Sequence, residues 1–255
     1  MMAGCALLVA ASTLTQQVRA ETAPVVAAAA SLRYALDDIA TAFEQQTGKR
    51  VRLTYGATRS LMHQIENGAP YELFLAADEE SVRRLAGNRR TEGVASVFAR
   101  GRIALVAPRG SSVSVDGELA GLANALGAGN VYHVAIANPE LAPYGRAAQE
   151  ALQKAGLWED LMPHLVIGEN VGQATQFATT GAAQAGLIAH SLAVSREVAP
   201  RVRVALIPEG WHQPIIHSMA LLKGAGETAR AFAAFLESEQ ARAIVERNGF
   251  AAPQP

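Results

Sequence analysis

Four positions in the 255-residue chain combine a hydrogen-bond donor with a place at the start of a helix. Ser31 ends the apolar run Val25-Val26-Ala27-Ala28-Ala29-Ala30 and precedes Leu32, Ala35, Leu36, Ile39 and Phe43, which recur at helical spacing. Thr58, with Ser60 as the alternative, follows the alternating stretch Arg50-Val51-Arg52-Leu53-Thr54-Tyr55 and the small residues Gly56-Ala57, ahead of Leu61, Met62 and Ile65. Tyr144 and Val171 stand after two further strand-and-turn segments, Tyr132 to Pro143 and Leu165 to Asn170, and offer backbone N–H groups. A helix start leaves its first N–H groups unpaired and carries roughly half a positive charge, so a donor there either caps its own helix or binds an anion. One such position decides nothing, but four favour the anion, because several helix starts converging on one point can offset a dianion without any lysine. A site built only of donors selects a fully deprotonated oxyanion, since a protonated one brings an O–H left unpaired at about 1–3 kcal/mol.

Other chemistry is thin. The chain has no Gly-x-Ser-x-Gly elbow, no Walker phosphate loop and no Rossmann glycine fingerprint in a strand–helix context. Its six histidines are scattered, and His212 and His217 lack a zinc motif around them, so surface or capping roles are expected. Glu72, Asp78, Glu79 and Glu80 read as an acidic helix start that complements the dipole.

The elements that must position the donors alternate from end to end. Strands are expected at Leu73–Ala77, Ile103–Ala107, Tyr132–Ala137, Leu165–Ile167, Gly186–Ala189, Val202–Ile207 and Met219–Leu222, with helices between them and two more at the C-terminus. That order is α/β with mostly parallel sheets, and ligands then collect beyond the carboxyl ends of the strands, where the helices begin. The Pro- and Gly-bearing stretch Pro108 to Ser112 is the expected crossover between two lobes.

Composition agrees with a binding role for something small. Half of the residues are hydrophobic, ample for a core, and the net charge of −1 gives no basic field for nucleic acid or an anionic membrane. Residues 1–20 read as an export signal, with an apolar stretch from Ala3 to Leu14 and a cleavage site after Ala20, although the positive n-region is missing. The single cysteine, Cys5, falls inside that signal, so the mature chain has no thiol for disulfides, metal or nucleophilic chemistry.

Several of these segments together resemble a known family. Ala28-Ala29-Ala30-Ser31-Leu32, Tyr55-Gly56-Ala57-Thr58, Gln64 to Pro70, Leu73 to Asp78, Asn138-Pro139-Glu140 with Pro143-Tyr144-Gly145, Glu169-Asn170-Val171 and Asn248-Gly249-Phe250 are similar to those of the molybdate-binding substrate-binding proteins of bacterial ABC importers. The resemblance implies a two-lobed periplasmic binding protein fold of type II, with mixed, mostly parallel sheets flanked by helices. Lobe 1 would take residues 21–107 plus 209–255, and lobe 2 residues 108–208. It further implies a monomer in the periplasm that binds molybdate or tungstate, with no cofactor and no direct metal ligation, and that serves a membrane permease rather than nucleic acid. Carried over by position, the Ser31 and Thr58 hydroxyls and the Tyr144 and Val171 N–H groups would hold the oxyanion. Family members often add a tyrosine hydroxyl near Gly186–Ala189, where this chain has Ala189 and His190. His190 is then either a substitute donor or a surface residue. Arg59 is either a solvated arginine in a first helical turn or a cation at the cleft mouth. The resemblance leaves other oxyanions and small organic anions open as ligands. The competing reading is an enzyme acting on a small carboxylate, with Glu72 or His190 as general base. A sensory domain is the third possibility, and no DNA-binding helical module is seen beside the fold.

Overall fold

In this computed structural model residues 22–253 are described, so the expected export signal lies outside the described residues. The first half opens with β1 (Val25–Ala29), a 3-10 turn (Ala30–Leu32) and α1 (Arg33–Thr47), then β2 (Arg52–Gly56) and α2 (Thr58–Glu66), β3 (Leu73–Ala76) and α3 (Glu79–Gly87). A long strand, β4 (Thr91–Gly101), leads straight into β5 (Ile103–Pro108). The middle of the chain forms α4 (Ala120–Gly127), β6 (Val134–Ala137), α5 (Pro143–Lys154), α6 (Trp158–Leu161), β7 (Leu165–Gly168), α7 (Val171–Thr179), β8 (Ala185–Ala189), α8 (His190–Ala193) and β9 (Val202–Leu206). The chain closes with β10 (Ile215–Leu222), α9 (Glu227–Leu236) and α10 (Glu239–Arg247).

These strands make two five-stranded mixed sheets, ordered β2-β1-β3-β10-β4 and β7-β6-β8-β5-β9. In each, four strands point one way and one is reversed: β10 in the first sheet and β5 in the second. The reversed strands are the two by which the chain enters each sheet from the other half. Tight pairing of this kind needs strands that are apolar on both faces, and β3, β6 and β8 are buried along their whole length.

The crossover differs from the expectation. Ile103–Pro108 pairs with β8 and β9 in the second sheet, so the chain changes sheet at Gly101–Arg102 and not at Pro108–Ser112. β4 itself is an edge strand whose first half is mostly exposed, which is why Thr91 to Val97 carries no clear apolar pattern. The C-terminal helices return to the first half: Phe43 of α1 meets the rings of Phe232 and Phe235 at 5.2 and 5.6 Å. Burying each such side chain contributes roughly 1.5–3 kcal/mol, enough to fix the docking. No helix among the described residues is long and apolar enough to cross a membrane.

Candidate functional site

Four helix starts from the two halves meet at one small cavity. Ser31, Thr58, Tyr144 and Val171 all line it, and the rest of its wall is largely small: Ala29, Ala30, Ala57, Ala77 and Gly56 among others. Its volume is about 10 Å³, close to the roughly 10–15 Å³ that one water needs and far below the roughly 300–1,000 Å³ of sites for drug-sized ligands. The size excludes a bulky organic guest.

Each donor reaches the cavity for a local reason. Ser31 was expected as an N-cap, but the chain enters α1 through the 3-10 turn, so Ser31 lies inside the helical run and its side chain caps nothing. Its Oγ is buried beside the Tyr144 phenol and makes no hydrogen bond of ordinary geometry, so its hydrogen can turn to a guest. Thr58 is the first residue of α2, and its Oγ1 accepts from the Ala77 N–H at 3.0 Å. With that acceptor position taken, the hydroxyl hydrogen is the part left to offer. Ser60, the other candidate, does not line the cavity.

The second half offers amides. Pro143 opens α5 and has no N–H, so Tyr144 carries the first amide hydrogen of that helix. Gly145 lets this turn lie on β6: a Cβ there would meet the Ala137 carbonyl oxygen at 2.4 Å. In α7 the Asn170 side chain accepts from the N–H groups of Gly172 and Gln173 at 2.9 and 3.1 Å. The cap therefore occupies the second and third amides and leaves the first, Val171, facing the cavity.

Arg59 and His190 do not line the cavity. Arg59 lies across the cleft mouth, where Nη1 donates to the Glu140 carbonyl of the second half at 3.1 Å and Nη2 pairs with Glu80 of the first at 3.3 Å. It is thus a bridge between halves, neither freely solvated nor aimed at the site. His190 Nδ1 lies 3.1 Å from the Gly249 carbonyl oxygen, and burial holds its pKa below the usual value. Glu72, the other suggested base, accepts from the Gly226 N–H at 2.7 Å and is also absent from the wall. No carboxylate, imidazole or thiol lines the cavity, and among the described residues no cluster of three or more His, Cys, Asp and Glu side chains is placed to hold a metal ion.

His217 is the residue that sequence reasoning misplaced. Instead of lying at the surface it is fully buried, against Phe98, Tyr144 and Phe250, and its Nε2 is 3.1 Å from the Tyr144 hydroxyl. Burial pushes its pKa down to about 3, so the ring is neutral, and burial raises the Tyr144 phenol, which is neutral too. The floor behind the cavity therefore adds polarity without charge.

Comparison with known proteins agrees with this geometry. Residues 24–251 match the family described as bacterial extracellular solute-binding protein. The chain is 32% identical to the molybdate-binding protein ModA of Rhodobacter capsulatus over 89% of its own length and 87% of that protein's. It is 33% identical to ModA of Escherichia coli, covering 88% of this chain and 87% of that one. Among solved structures, the periplasmic molybdate-binding protein of Azotobacter vinelandii superposes with a TM-score of 0.82 at 28% identity, over 91% of this chain and all of the other. The chain belongs to the bacterial extracellular solute-binding proteins.

Proposed function

We propose that the chain is the substrate-binding component of an ABC importer, which captures molybdate, and tungstate with it, in the periplasm and presents it to a membrane permease. The observation that carries the reading is the meeting of four uncharged donors, two from each half, on one cavity whose wall holds no cation. Helix starts supply partial positive charge there, and an empty site made of neutral groups leaves no buried charge unpaired. The guest's own charge is then what the donors answer, which favours a dianion over a monoanion of similar shape. Release is possible for the same reason. The halves act as a monomeric clamp that shuts on the anion and opens at the permease.

Thermal unfolding of the mature chain with molybdate, tungstate, sulfate and phosphate tests this. A ligand at 100 times its dissociation constant adds about 2.7 kcal/mol of stability. A large upward shift with molybdate and tungstate and little with sulfate or phosphate is expected, whereas equal shifts with all four, or none, would refute the assignment.

A further inference from the structure

One residue of the site does something its backbone role does not require. Tyr144 offers its N–H to the cavity, yet its side chain turns away from the opening and runs to the seam between the halves. There the hydroxyl end of the phenol packs against Gly101, where the chain leaves the first sheet: a Cβ at that position would sit 2.2 Å from the hydroxyl oxygen. It also meets His217, near the start of β10, where the chain comes back. A single side chain from the second half thus touches both crossing segments. The same seam holds a second buried contact, Ser191 Oγ donating to the Ser31 carbonyl at 2.8 Å, and the Ser31 and Ser191 hydroxyls flank the phenol.

We propose that Tyr144 is a positioning residue whose hydrogen bond to His217 holds the two halves in the arrangement that brings Ser31 and the Tyr144 amide onto one guest. The inference rests on the oxyanion-binding reading above. Rotation of the second half about Gly101–Arg102 moves the phenol relative to β10, so opening the cleft and breaking this bond are coupled events. Because both partners are fully buried, the bond is made without competition from water and is sensitive to small shifts. Its loss loosens the closed form, while the Ser31 and Thr58 hydroxyls and both amides remain in the chain. That distinguishes it from a ligand contact, whose loss would change which anions are accepted.

The test is stopped-flow release of molybdate from the full mature protein carrying Tyr144→Phe, His217→Leu or both, with His217→Gln as the conservative variant. Tyr144→Phe keeps the amide and the ring. Release at least tenfold faster is expected with Tyr144→Phe and with His217→Leu, the two together no worse than either alone, association nearly unchanged, and the preference for molybdate over sulfate retained. His217→Gln, which keeps a polar atom near the Nε2 position, is expected to restore slow release. A lower unfolding midpoint of the empty Tyr144→Phe protein with wild-type release would show a merely structural tyrosine and overturn the proposal, as would additive effects of the two changes. A wild-type chain that takes up neither molybdate nor tungstate would instead overturn the reading on which the proposal rests.

Discussion

The two halves of the cleft bring different atoms to the same cavity. The first half presents side-chain hydroxyls, Ser31 and Thr58, while the second presents main-chain amides, those of Tyr144 and Val171. The difference has a structural root. At the two helix starts by which the first half reaches the cavity no side chain caps the turn, so a hydroxyl within it is available. In the second, Pro143 and Asn170 arrange the first turn so that one particular amide is left over. A hydroxyl is lost by almost any substitution, whereas a main-chain amide survives every substitution but proline. The sensitivity of the site to mutation is therefore expected to be lopsided.

The strongest way to break the comparison is the double change Ser31→Ala, Thr58→Ala. A hydrogen bond to a charged partner contributes about 1.5–3 kcal/mol, so the pair should cost about 3–6 kcal/mol of affinity in titration calorimetry, a hundredfold or more. Ser31→Ala alone should not destabilise the empty protein, because its Oγ is buried without a partner. Retained affinity in the double variant would mean that the hydroxyls do not face the guest.

An intermediate effect is expected at the seam. The His217 pKa is about 3 in the folded chain, against about 6.5 when unfolded, so below pH 6.5 the unfolded state binds more protons and stability falls as the pH falls. Denaturant titrations should show a loss of roughly 1 kcal/mol per pH unit between pH 6.5 and 5 from this group, and His217→Gln should remove it. A flat profile in the wild type would show that His217 is not buried as a neutral ring.

The smallest effects concern the second half. Asn170→Ala removes an N-cap worth about 1 kcal/mol of stability and should weaken anion binding several-fold by letting the Val171 amide wander. Val171→Ala keeps the amide and should leave the affinity within about twofold of wild type, by the same calorimetric measurement. If Val171→Ala proved as harmful as the hydroxyl changes, the contrast between the halves would be wrong.

Much of the site was legible because it is local. A strand, a turn of small residues and a helical repeat can be read within about fifteen residues of Ser31, Thr58 or Val171; Thr58 and Val171 do begin helices, and Ser31 lies in the 3-10 turn that leads into α1. The unbonded state of Ser31 was not legible, since whether a serine caps depends on whether the chain enters by a 3-10 turn. β4 was missed for another reason: an edge strand faces the core along only part of its length, so Glu92, Gly93 and Ser96 interrupt the apolar pattern. The bridging role of Arg59 depends on Glu140, distant in sequence and contributed by the other half. His217 gave no signal, because a neutral buried histidine needs only one good partner, and Tyr144 lies 73 residues away.

What the chain's order of residues determined by itself was the kind of atom at each helix start and the alternation of strand and helix, since both follow from interactions between near neighbours. What only the tertiary structure decided was that four of those starts meet, that the chain passes from the first sheet to the second at Gly101–Arg102, and that a tyrosine lining the cavity sends its phenol to the seam. Those outcomes depend on contacts between residues far apart in the chain, and the docking of α5, α7 and α8 of the second half on the first is what brings them within reach.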